Sequence, residues 1–144
     1  MADPFDLQRF VDAQEPVYEQ VRAELRAGRK QSHWMWFIFP QIAGLGMSPM
    51  SVFYALSSLD EAKAYLAHPV LGRRLRECAS LALKAEGRTA RQVFGPVDEL
   101  KFRSSMTLFM KAAPGEPLFV QCVEKFFGGE PDPATLARIQ NSSE

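Results

Sequence analysis

Cysteine is nearly missing: the 144 residues hold two, Cys78 and Cys122, and histidine is as scarce, with His33 and His68 alone. A disulfide scaffold is thereby excluded, and so is a zinc hydrolase, since neither histidine has an acidic neighbour at ligand spacing. Both cysteines fall in apolar helical patterns and read as reduced, structural thiols. An excess of charge of one sign is also lacking. The 17 Lys+Arg are matched by 17 Asp+Glu, which excludes a general nucleic-acid coat protein, whose affinity needs surplus cations over many phosphates. There is no long hydrophobic run, the longest being residues 34–40, far short of the roughly 20 residues of a membrane span. The N-terminal residues show no basic stretch followed by an apolar one, so nothing resembles a signal peptide and a cytoplasmic address with no membrane partner is expected. No GxGxxG, Walker loop or GxSxG is present, and no metal or cofactor is indicated.

What is present is the material of a packed core. Hydrophobic residues make up 47% of the chain and charged residues 24%, which argues against disorder. At this length folding removes roughly 68–70% of the unfolded surface from water, enough for stability without staples. Gly and Pro fall between short segments of helical period. Asp3-Pro4 signals one helix start, and Pro16 opens a second that stops at Gly28. Ser58-Leu59-Asp60-Glu61 has the form of a capping box, with His68-Pro69 as its stop. Further helices are predicted over residues 70–86, 89–95, 96–112, 118–127 and 132–139. His68, at the end of a helix, reads as a cap of the last carbonyls. Residues 33–39 fit either a short strand or a buried helical turn. The expected fold is all-α, a single compact domain of six to eight short helices over residues 1–140, with a frayed end at 141–144.

The most informative signal is polar side chains where the helical period places core. Along residues 96–112, Asp98, Lys101 and Ser105 project into an arc made by Val97, Phe102, Met106, Leu108 and Phe109. Buried against hydrocarbon, each costs several kcal/mol unless partnered, so the three must be paired or must face a polar cavity. Arg74 breaks the pattern of its helix in the same way, pointing between Val70, Leu71 and Cys78, and a guanidinium suits a carboxylate or phosphate there. The alternatives are a structural network, Arg74 or Lys101 meeting Asp98, and a cleft that accepts an anion. A covalent serine mechanism is set aside, because the order and spacing of Lys101, Ser104 and Ser105 differ from known Ser/Lys pairings.

The run Arg29-Lys30-Gln31-Ser32-His33-Trp34-Met35-Trp36-Phe37-Ile38-Phe39-Pro40-Gln41 gathers two bases, a histidine and both tryptophans. One Trp is expected in the core and the other free to stack on a ring. His33, with hydroxyl and cationic neighbours, is the best acid/base candidate, though a hydrogen-bonded structural histidine fits as well. This run closely resembles the central signature of the domain-of-unknown-function family 1810. So do Ala64-Tyr65-Leu66-Ala67-His68-Pro69-Val70-Leu71-Gly72 with Arg74-Leu75 after it, and Phe94-Gly95, Asp98, Lys101 and Ser104-Ser105-Met106-Thr107-Leu108-Phe109. The resemblance extends from Phe5-Asp6-Leu7-Gln8-Arg9-Phe10-Val11 to Gly128-Gly129 and Asp132, departing at Phe102, where the family more often has Leu. It implies a mainly helical bacterial domain without an established activity. Some members carry the label calpastatin, but calpain inhibitors of that name are disordered repeat chains, unlike this core-forming sequence.

The resemblance places Arg74, Asp98, Lys101, Ser105, His33 and His68 on motif positions and so favours a shared pocket. The expectation is a small-ligand domain. Arg74 and Lys101 hold a phosphate or carboxylate, Trp34 or Trp36 stacks on a ring, and Gln41, Ser104 and Ser105 orient it. His33 with Asp98 moves any proton, and His68 lies at the pocket's corner. The ligand class includes nucleotides and phosphosugars. The alternative is an RNA- or protein-binding adaptor using residues 70–111, which carry nine bases and four acids, with Arg73, Arg76, Lys84, Arg88 and Arg91 facing outward.

Overall fold

Helix-stop chemistry divides the chain as its Gly and Pro residues indicate. The computed structural model describes residues 3–142, the last two by backbone alone, and within them nine helices and no strand. These are α1 (Gln8–Gln14), α2 (Tyr18–Arg26), α3 (Met35–Ile38), α4 (Pro49–Phe53), α5 (Leu59–Ala67), α6 (Leu71–Leu83), α7 (Ala90–Ala112), α8 (Pro117–Phe127) and α9 (Pro133–Ser142). The class is all-α as expected. The count exceeds six to eight because residues 33–39 resolve into a single helical turn, α3, and because Ser48-Pro49 opens α4. That helix buries none of its residues and so has no apolar stripe to read. The two helices expected over 89–112 are both present within α7 and meet at Gly95, whose backbone is not helical. Of the end expected to fray, residues 141 and 142 belong to α9, and 143 and 144 lie outside the described residues.

Several starts use the caps that the sequence offers. Ser58 Oγ accepts from Glu61 N at 3.2 Å, and Thr89 and Gln92 cap reciprocally at 3.1 and 2.8 Å, each such cap contributing about 1 kcal/mol. Asp3 caps α1 from a distance, its carboxylate accepting from Leu7 N and Gln8 N, so the helix begins four residues later than the Asp3-Pro4 signal suggested. His68 caps, but not the carbonyls behind it. Its Nδ1 accepts from Val70 N at 3.1 Å and Leu71 N at 3.2 Å, opening α6.

The core is one cluster to which all helices except α4 contribute. Its aromatic centre is Phe102, fully buried, stacked on Phe94 at 4.4 Å and edge-on to Phe39 at 5.0 Å. Such pairs are each worth about 0.5–1.5 kcal/mol beyond area burial, so the larger ring at this position is accommodated by its neighbours. Among the helix pairs, α7 packs most extensively on α8. Cys78 and Cys122 are free and buried, and burial pushes both thiols up to about 12, which leaves them inert.

Two long-range ties close the N-terminal side. The Arg9 guanidinium donates to the carbonyls of Phe5, Asp6, Phe53 and Ala55 and to Glu61 Oε2 at 3.1 Å. Gln14, also buried, donates to Phe37 O at 2.7 Å. At the α5–α6 corner the helices meet so closely that a Cβ on Gly72 would lie 2.1 Å from the Leu66 carbonyl oxygen.

Candidate functional site

The site grows from an irregular segment, residues 28–34, that links α2 to α3. One buried carboxylate organises it. Glu24, near the end of α2, accepts from the backbone N–H of Gln31 at 2.7 Å and Ser32 at 2.9 Å, from the Trp34 indole at 3.0 Å, and from Ser32 Oγ and Gln20 Nε2. Burial alone would raise this carboxyl, but the bonds that favour its charged form outweigh burial and hold it down to about 2. Trp34 is thereby fixed in the core, 1% exposed.

The partner wall comes from α7. Ala90 to Phe94 are helical, Gly95 is not (φ 89°, ψ 167°), and the helix resumes at Pro96. Only glycine adopts that backbone conformation readily. At this break the Val93 carbonyl accepts the backbone N–H of Lys30 at 2.7 Å, joining the irregular segment to the kink. Pro96 at a first-turn position then starts a second helical stretch, whose positive end faces the space beside it.

That space is a hollow of about 330 Å³ lined by Lys30, His33, Met35, Trp36, Phe94, Gly95, Pro96, Val97, Asp98 and Lys101. Lys30 Nζ lies 2.9 Å from Asp98 Oδ2 and 5.1 Å from the Trp34 ring centre. Lys101 Nζ is held more loosely, 3.5 Å from Asp98 Oδ1 and 5.1 Å from the Trp36 ring centre. Two ammonium groups thus share one carboxylate. Trp36 Nε1 is buried and has no acceptor, and His33 is exposed, without a hydrogen bond or ion pair among the described residues. The arrangement has donors and a surplus positive charge, which is the chemistry of an anion site. His33 and Asp98 line the same hollow but share no hydrogen bond, and the Asp98 oxygens already face lysines.

A second hollow of about 310 Å³ lies farther along the same face of α7, lined by Gln41, Leu45, Gly46, Ser51, Val97, Leu100, Lys101, Ser104, Asp132 and Ala134. Ser104 Oγ donates within 3.0 Å of both Leu100 O and Asp132 Oδ2, and Asp132 caps α9 by accepting from Thr135 N at 3.1 Å. Ser104 is therefore committed to holding α9. The Gln41 side-chain amide has no such commitment.

Other expected members are elsewhere. Arg74 lies over the Tyr18 ring at 4.8 Å and pairs with Glu15, with Gln14 at 3.4 Å, so its guanidinium ties α6 to α1 and α2. His68 is engaged at the start of α6. Among the described residues Ser105 Oγ is buried without a partner, and it lines neither hollow. The three-segment pocket of the sequence reading thus reduces to two segments, residues 30–36 and 94–101. The reason is that helical period exposes an out-of-place charge without indicating its partner. Lys30 and Glu24 were not singled out, because irregular backbone carries no period against which a charge is out of place; the two charges beside Ser32 and Trp34 were the available hint. Among the described residues no three His, Cys, Asp or Glu side chains could hold a metal ion, and no helix is long and apolar enough to cross a membrane.

Comparison with known proteins agrees with this architecture. Residues 4–139 match the model of a family described as a protein of unknown function, DUF1810. The crystal structure of a conserved hypothetical protein from Mycobacterium tuberculosis is 54% identical, covers 96% of this chain and 99% of its own, and superposes with a TM-score of 0.95. No curated protein matches the chain.

Proposed function

From the premise that the chain belongs to the DUF1810 family, we propose that it is a binding domain for a small phosphate-bearing ligand seated against Lys101. The observation that supports this reading most is the sharing of Asp98 by Lys30 and Lys101 beside an open hollow, with Trp36 Nε1 lacking an acceptor. Lys30 is the fixed member, engaged by Asp98 and by the Ser32 carbonyl. Lys101 is the working member, since a 3.5 Å ion pair and a ring face leave its ammonium free to turn toward a phosphate oxygen. His33 stands at the mouth as a further donor. Met35, Phe94 and Val97 give the apolar walls that small-molecule sites share. Binding, rather than proton transfer, is the role the separation of His33 from Asp98 supports.

The adaptor reading on residues 70–111 is weaker, because Arg76 and Arg91 are paired with Glu116 and Glu99 at 2.9 and 3.1 Å. The test is ligand-induced thermal stabilisation by AMP and by inorganic phosphate. Ligand at a hundredfold over Kd stabilises by about 2.7 kcal/mol; Lys101→Met is expected to abolish that shift, and Lys84→Met, on an exposed surface, to retain it. An undiminished shift in Lys101→Met, or no shift with either probe at millimolar concentration, refutes the proposal.

A further inference from the structure

Resting on that reading, we infer that the ligand is a phosphate diester with an organic group on each side, laid across Lys101 so that one group enters each hollow. The two hollows share only Val97 and Lys101, which stand one turn apart on α7 and form the saddle between them. Val97 is 67% exposed, an apolar side chain left uncovered between the two hollows. Each hollow alone lies at the small end of ligand sites, and together they fall well within the range.

Charge selects the bridging group. At Lys101, where the bridging group sits, Lys30 and Lys101 against Asp98 leave a surplus of one positive charge; the second hollow adds no base, and its Asp132 carboxylate is taken up by Ser104 and Thr135. A phosphomonoester carries about −1.5 to −2 at neutral pH, and a triphosphate more, so either is under-compensated beside Asp98. A diester carries a single negative charge and matches. The linings select the flanking groups. Trp36 offers a ring to a planar group on one side, while on the other Leu45 and Leu100 give an apolar lining that the Gln41 amide and the Ser51 hydroxyl share. A nucleobase on one side and a base or sugar on the other fit this division.

Calorimetric titration of the full chain with adenylyl-(3′→5′)-adenosine, AMP and ATP tests the inference. The dinucleoside monophosphate is expected to bind at least about tenfold tighter than either mononucleotide, which corresponds to about 1.4 kcal/mol. Leu100→Trp, at a position 59% exposed, fills the second hollow; it should bring the diester down to the AMP level and leave AMP unchanged. If AMP binds in a Lys101-dependent manner but the diester gains nothing, or if Leu100→Trp weakens both alike, the two-sided ligand is wrong while the anion pocket stands. If no probe binds, both fall. Tetra-adenylate separates the sources of the diester: affinity equal to the dinucleotide assigns a small molecule, and a further tenfold gain assigns a single strand.

Discussion

Replacing Glu24 with Gln removes one charge and almost no volume, so its effect isolates the electrostatic part of the segment that carries the site. In the parent the carboxylate faces five donors, three of them on one oxygen. A glutamine can keep its carbonyl toward the three N–H groups, and its amide can be met by rotation of Ser32 and Gln20. What is lost is the charge assistance. The carboxyl sits at about 2 when folded against an ordinary 4.5, and at about 1.4 kcal/mol per pH unit the difference is about 3 kcal/mol. The direction follows from the lowered value. Above about pH 4.5 the folded and unfolded chains both hold Glu24 ionised and the full contribution is present. As pH falls the unfolded chain takes up a proton that the folded one refuses, and the contribution disappears toward pH 2. Urea unfolding should therefore show Glu24→Gln about 3 kcal/mol less stable at pH 7, a Tm drop of roughly 10 °C, with the gap narrowing from pH 5 downward. Affinity for AMP should fall with it, since the same carboxylate fixes the approach to His33 and Trp36. A gap below about 0.5 kcal/mol at pH 7, or one that stays constant to pH 3, would refute the reasoning.

Three glycine substitutions separate steric from backbone effects. Gly72→Ala places a methyl 2.1 Å from the backbone oxygen of Leu66, and neither atom can swing away; a loss of about 3 kcal/mol is expected in urea unfolding, and an unchanged midpoint would show that α5 and α6 are not in such contact. Gly95→Ala meets nothing within 4 Å, so its expected cost of about 1–3 kcal/mol is backbone strain alone. Gly115→Ala, equally uncrowded and without a positive φ, should be neutral or slightly stabilising. Equal effects at positions 95 and 115 would contradict the kink.

Local chemistry was legible wherever it repeats along the chain. Ser58, Thr89 and Gly128 mark helix ends by side-chain or backbone rules that need only near neighbours, and they do so in the structure. Asp98 and Lys101 stood out because a helical arc of known period surrounded them. Arg74 stood out for the same reason, yet its counter-ion Glu15 lies 59 residues upstream, and nothing in a period reports on such a distance. The two tryptophans were legible as a pair but not individually. Trp34 is the inner one because Glu24 accepts its indole N–H, whereas α3 turns Trp36 toward Lys101.

The fastening of Arg9 has a consequence for the order of events during synthesis. Its partners Phe53, Ala55 and Glu61 follow it by 44 to 52 residues, so at about 5–20 residues per second the ribosome delivers them roughly 2–10 s later. Throughout that interval the first helix emerges with a cation that has nothing to grip beyond its own turn. Helix α1 is thus seated only after α5 has cleared the exit tunnel, and this corner closes as a latch rather than serving as the seed of the fold.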